Sequence, residues 1–140
     1  MASSIVTTLF EGDYVLGVGA LINSLYKNGF RGSVHCGYRG ILTGWAANAS
    51  ILGSTHQIEP IDGLTVVFHP VDPGWHMANL KPKFMLDVWE KMERNCDCHF
   101  YFDPDLVVKC SWSFFEKWAS YGLAMCQEIV MSQSCSDHPL

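Results

Sequence analysis

Positive charge is scarce in this sequence: 9 lysines and arginines stand against 14 aspartates and glutamates in 140 residues, a formal net charge of −5. No basic stripe of the kind a nucleic-acid backbone requires can be drawn from so few cations, so nucleic acid is not expected as a partner. Long apolar runs are lacking too. None approaches the ~20 residues of a membrane-crossing helix, and the opening Met1-Ala2-Ser3-Ser4-Ile5 puts no positive segment ahead of an apolar one. The expectation is a chain without a membrane span, placed in the cytoplasm. Paired C-x-x-C spacing is also absent. The 6 cysteines (Cys36, Cys96, Cys98, Cys110, Cys126 and Cys135) are scattered, which fits mostly reduced, buried thiols. Cys96-Asp97-Cys98-His99 gathers thiols and an imidazole, but a closed zinc site needs a further pair elsewhere. There is no internal repeat and no linker.

What is present is apolar mass: 49% of the residues are hydrophobic, enough to build the core of one domain. The domain is expected over residues 1–130, with a polar tail over 131–140. Ser4-Ile5-Val6-Thr7-Thr8-Leu9-Phe10 is rich in β-branched residues and reads as a central strand ending in the loop Glu11-Gly12-Asp13. Val18, Leu21, Ile22, Leu25 and Tyr26 recur at helical spacing, with Gly29 placed to stop the helix. Ser33 to Tyr38 reads as a second strand, Trp45 to Gly53 as weakly helical, and Gly63 to Pro70 as a third strand. Asn79 is a candidate cap for a helix with Pro82 in its first turn, and Phe84, Met85, Val88, Trp89 and Met92 stack on one face up to Arg94. Ser113-Phe114-Phe115-Glu116 has capping-box spacing, and Trp118, Gly122, Cys126 and Ile129 continue one side of a last helix. The alternation of strands and helices predicts an α/β fold, Rossmann-like, with a largely parallel central sheet flanked by helices.

The chemistry is concentrated in His99-Phe100-Tyr101-Phe102-Asp103-Pro104-Asp105. The aromatic run has the pattern of an interior strand, and Asp103 is the first residue such a strand could not bury without a partner. In open α/β sheets ligands gather outside the carboxyl ends of strands, where these carboxylates would fall. Proline fixes its own φ and biases Asp103 away from helix, so both carboxylates can face one small volume. Hard oxygen ligands suit Mg²⁺ or Mn²⁺, commonly held by one or two carboxylates together with substrate phosphates. The competing reading is a turn whose carboxylates only bond neighbouring backbone N–H groups.

The strand and loop with Glu11-Gly12-Asp13-Tyr14, the helix Gly19 to Tyr26, the stretch Asn79-Leu80-Lys81-Pro82-Lys83-Phe84-Met85 and Tyr101-Phe102-Asp103-Pro104-Asp105 together resemble nucleotide-sugar glycosyltransferases of the GT-A fold. The likeness covers roughly residues 4 to 130 and is to the donor-binding half. The sequence stops soon after Asp105, so by the resemblance the chain is expected to be a shortened or truncated relative. The resemblance implies a transferase using a nucleotide diphosphate sugar donor and Mn²⁺ or Mg²⁺, with Asp105 on the metal and Asp103 on the metal or ribose. It implies further that Thr8 and Asp13 lie by the nucleobase and that Lys83 approaches the diphosphate. Asp13 reads equally as a turn former and Lys83 as a solvated charge. A non-catalytic nucleotide-binding or interaction module built on the same half-fold is the alternative. The acceptor is unknown, no residue stands out as base or nucleophile, and self-association is left open. His35, His69 and His99 read as hydrogen-bonded core or edge residues, and His56 and His76 fall in loops without carboxylate neighbours at useful spacing.

Overall fold

The computed structural model describes residues 3–71, 74–123 and 125. Among these residues six strands form one sheet: β1 (Ser4–Glu11), β2 (Gly32–Arg39), β3 (Ser50–Leu52), β4 (Thr55–Ile61), β5 (Leu64–Pro70) and β6 (Cys98–Tyr101), in the spatial order β3-β4-β5-β2-β1-β6. The run β5-β2-β1-β6 is parallel, with Val6 opposite both Val34 and Phe100, and Val34 opposite Val66. The remaining two pairings are antiparallel. The sheet is thus mixed and mostly parallel, an α/β arrangement compatible with the Rossmann-like expectation.

β1 is central. Seven of its eight residues are buried, because both of its faces are covered by helices. Helix α1 (Val15–Lys27) lays Val18, Leu21, Ile22 and Leu25 on one face, in a core shared with Val6, Phe10, Val34 and Phe68. Gly29, at φ +96°, follows the Asn28 cap and lets the chain turn back into β2, as its position suggested. On the opposite face α2 (Met77–Lys91) packs Leu80, Phe84 and Val88 on Ile5 and Leu9. Helix α3 (Trp112–Ala119) closes the α1 side, where Trp112 stands edge-on to Phe30 and Phe100 at 4.7 and 4.8 Å between ring centres.

Several expectations need correction. Trp45 to Gly53 is not one weak helix: a 3₁₀ turn occupies Gly44–Asn48, and β3 and β4 then form a hairpin about Gly53-Ser54, with Gly53 at φ +62°. Among the described residues the aspartate-bearing strand is not interior. β6 stands at the end of the strand order, and all four of its residues are half-exposed. The cap of α2 is His76, whose Nδ1 accepts from Ala78 N at 3.3 Å, so the helix starts before Asn79 and Pro82 lies inside it. Trp89 and Met92 are exposed, and the stripe that packs is Leu80, Phe84 and Val88. No capping box forms at Ser113, because seating Trp112 in the core starts α3 directly after Ser111, and Glu116 accepts instead from Ser4 Oγ at 3.2 Å. Cys126, Ile129, Cys135 and the 131–140 tail lie outside the described residues.

Candidate functional site

β1 connects through α1 to β2 on one side, whereas β6 is laid against the other side of β1. The strand order therefore reverses at β1, and the crevice outside the carboxyl ends of β1 and β6 is the place where open α/β sheets hold ligands. A cavity of about 260 Å³ lies there. Its walls are Leu9, Phe10 and Glu11 at the end of β1, Tyr14, the first turns of α2 at Met77, Ala78 and Lys81, Tyr101 at the end of β6, and Asp103, Pro104 and Asp105 just after it.

The Asp-Pro-Asp segment is fastened from both sides. Phe102 N continues the β6 ladder to Thr7 O at 3.1 Å, and Leu106 N closes a turn onto Asp103 O at 3.2 Å. A Cβ placed on Gly17 would lie 2.2 Å from Pro104 O, so the segment rests on bare backbone of α1. Farther along, Val108 N donates to Ser24 Oγ at 2.9 Å, and Asn28 Nδ2 donates to Val108 O at 2.8 Å. Trp112 N donates to Asn28 O at 2.8 Å, so α1 carries the whole chain between β6 and α3.

Within the crevice Lys81 Nζ donates to Asp103 Oδ1 at 2.6 Å and stands 4.9 Å from the centre of the Tyr101 ring. Burial, and secondarily the Asp103 carboxylate, pushes the Tyr101 phenol well above its ordinary range, so it stays protonated at neutral pH. Glu11 forms an ion pair with Arg39 at 3.3 Å. Asp103, Asp105 and Glu11 supply oxygen donors of the type Mg²⁺ and Mn²⁺ take, but among the described residues no three His, Cys, Asp or Glu side chains gather into a metal-holding group. A cation here would have two aspartates and would take the rest of its shell from phosphate oxygens and water.

Of the residues singled out from sequence, Asp103 and Asp105 come together in the crevice. Thr8 is fully buried in β1, and its Oγ1 has no hydrogen-bond partner among the described residues. Asp13 is exposed in the 3₁₀ turn between β1 and α1, off the crevice lining. Lys83 leaves the crevice altogether: it pairs with Asp87 at 2.5 Å and lines a different cavity, between α2 and the end of β5. Lys81, not Lys83, lines the crevice. Cys96, Asp97, Cys98 and His99 sit at the opposite end of β6 from the aspartates.

No protein family, curated protein or solved structure matches the chain. Its function rests on its own geometry. No helix among the described residues is long and apolar enough to cross a membrane, and the described cysteines, Cys36, Cys96, Cys98 and Cys110, are free thiols.

Proposed function

We propose that the chain is the donor-binding part of a GT-A-type glycosyltransferase, holding a nucleotide diphosphate sugar in the crevice between β1 and β6. The observation that supports this reading best is the joint placement of Asp103 and Asp105 at the point where the strand order reverses. In this reading Asp103 and Asp105 hold Mn²⁺ or Mg²⁺, which when bound supplies Lewis-acid stabilisation to the departing diphosphate. Lys81 adds a second positive charge on the same flank. Its ammonium is already held by Asp103 and Tyr101, so little side-chain freedom is lost when a phosphate oxygen arrives. Tyr101, neutral at physiological pH, offers a hydroxyl to the same oxygens. Asp13 and Thr8 flank the base only if the 3₁₀ turn and the end of β1 rearrange on binding, since neither lines the crevice. The setting proposed is cytoplasmic, in keeping with free thiols.

The Lys81–Asp103 pair favours a second reading, a nucleotide-binding module without turnover. A cation occupying Asp103 has to displace or share that ammonium, and among the described residues no third ligand completes the site. Calorimetric titration with UDP and GDP, with and without Mn²⁺, followed by assay of sugar release from the matching donors, separates the two. Metal-dependent binding with release supports the transferase, and binding without release supports the module. No binding of either nucleotide, or affinities unchanged in Asp105→Ala, removes both.

A further inference from the structure

Two histidines stand on the sheet face under α2, beside the Thr7–His99 pair. His35 on β2 and His69 on β5 are buried, with 2% and 7% of their surface exposed. Their rings stack at 5.2 Å, and His35 Nδ1 lies 2.9 Å from His69 Nε2. The far nitrogen of His35, Nε2, lies 3.1 Å from Glu93 Oε1 just beyond the end of α2. Donor and acceptor roles along this chain follow from its end. A carboxylate only accepts, so His35 carries its proton on Nε2. A neutral His35 then offers a lone pair at Nδ1, so His69 must donate from Nε2. That leaves His69 Nδ1 as a lone pair with no proton. The same logic fixes the neighbouring imidazole: Thr7 Oγ1 donates to Phe100 O at 3.1 Å and accepts from His99 Nε2 at 3.2 Å, which keeps His99 out of the chain.

His69 also lines a cavity of about 360 Å³ between α2 and the end of β5. The walls are apolar, formed by Val71, Leu80, Phe84, Val88 and Met92, and Phe84 meets the His69 ring edge-on at 5.7 Å. At its rim Lys83 and Lys91 are both tied to Asp87, at 2.5 and 2.9 Å, which leaves the mouth with an excess of one positive charge. Such a cavity rejects ammonium ligands at its rim, and a carboxylate would set its own lone pairs against that of His69. Burial, and secondarily its neighbour His35, lowers His69 to about 4, so the acceptor persists at neutral pH.

We propose that this cavity is a second binding site, for a small molecule with an apolar body and one hydroxyl that donates to His69 Nδ1: an aromatic or aliphatic alcohol. Glu93 and His35 act as positioning residues that hold the lone pair in place. The site is separate from the crevice at Asp103 and Asp105 and does not depend on the reading given for that crevice.

The test uses the full chain labelled with ¹⁵N at pH 7.5, with the histidine ring nitrogens observed by NMR and 4-methylphenol, toluene and 4-methylbenzoate as probes. His69 is expected to carry its proton on Nε2, its Nδ1 resonance is expected to move on addition of 4-methylphenol, and that probe should bind about tenfold more tightly than toluene or 4-methylbenzoate. Glu93→Gln offers His35 a donor as well as an acceptor, so it should mix the tautomers of both histidines and erase the preference while leaving toluene binding unchanged. A proton on His69 Nδ1 in the unaltered chain, a phenol that binds no better than toluene, or a Glu93→Gln chain with unchanged tautomers and preference would each overturn the proposal.

Discussion

Lys81 and Lys83 sit two positions apart on α2, enough to send them to opposite flanks of the buried stripe Leu80, Phe84 and Val88. Lys81 turns with Met77 and Ala78 into the crevice, whereas Lys83 turns with Asp87 and Lys91 to the other side. The sequence showed Phe84 and Val88 on one face but neither Leu80 beside them nor which flank faced the aspartates, because both depend on how α2 lies on the sheet. Lys81→Ala should cost little stability, roughly 0.2–1 kcal/mol, since the pair it breaks is partly exposed. It should strengthen Mn²⁺ binding in the absence of nucleotide, by freeing Asp103, and weaken UDP binding in the absence of metal. Calorimetry with each ligand alone reads both changes. Gly17→Ala meets Pro104 O inside contact distance and should destabilise the fold by about 1–3 kcal/mol in urea titration, with loss of nucleotide binding as the Asp-Pro-Asp segment is pushed off α1.

Among the elements, α1 both covers the sheet and anchors the segment that follows β6. Ser24 and Asn28 satisfy the backbone of Val108, itself 5% exposed. Removing the amide in Asn28→Ala orphans Val108 O and should cost about 1 kcal/mol, and amide exchange should speed up selectively between Asp103 and Trp112. Trp112→Ala empties the aromatic cluster with Phe30, Phe100 and Phe115 and should cost about 3–5 kcal/mol in the same urea titration. The elements that could be read from sequence were those with a strong period or a run of β-branched residues: β1, α1, β2, β5 and the body of α2, of whose expected stripe only Phe84 and Val88 are buried. The β3–β4 hairpin was missed because its residues carry no alternation. All of β3 is exposed, so nothing selected an apolar face, and the two-residue turn at Gly53-Ser54 was the only signal. β6 looked interior because Phe100 and Phe102 are the residues of a buried strand. Their burial comes from the α3 side, through Trp112 and Phe115, while no further strand pairs with β6 among the described residues. The carboxylate pair was legible because proline and an abrupt change from aromatic to acidic mark a strand end. The Glu93–His35–His69 chain was not, since its members are distant in sequence and meet only when α2 lies across β2 and β5.

At the scale of the whole molecule, buried ionisable groups set the pH range of stability. Burial lowers His35, His69 and His99, the latter two to about 4, against an ordinary value of 6.5. Between those values the unfolded chain binds protons that the folded chain refuses, so stability should rise with pH through this window and be lost on acidification. His69 alone contributes on the order of 2–3 kcal/mol of that loss. Burial raises the Cys36 thiol and the Tyr101 phenol, so stability held at neutral pH should decline again as the unfolded chain ionises, beginning near the ordinary thiol value of 9.0. Urea titrations from pH 4 to 10 should therefore show a maximum between about 7 and 8.5, and a chain whose stability is flat from pH 7 down to 4 would show that these histidines are not held neutral.

The function proposed for the crevice requires a nucleotide diphosphate and a divalent cation to meet between β1 and β6. Mn²⁺ broadens the NMR signals of nearby nuclei, so adding it in substoichiometric amounts with UDP to ¹⁵N-labelled protein locates the bound cation directly. The amide signals of Phe10, Tyr101, Asp103 and Asp105 should vanish first, those of Phe10, Tyr101 and Asp103 should persist in Asp105→Ala, and Cys96 to Cys98 toward the far end of β6 should be broadened least along that strand. Uniform broadening, or loss centred on Cys96 to His99, would contradict the account.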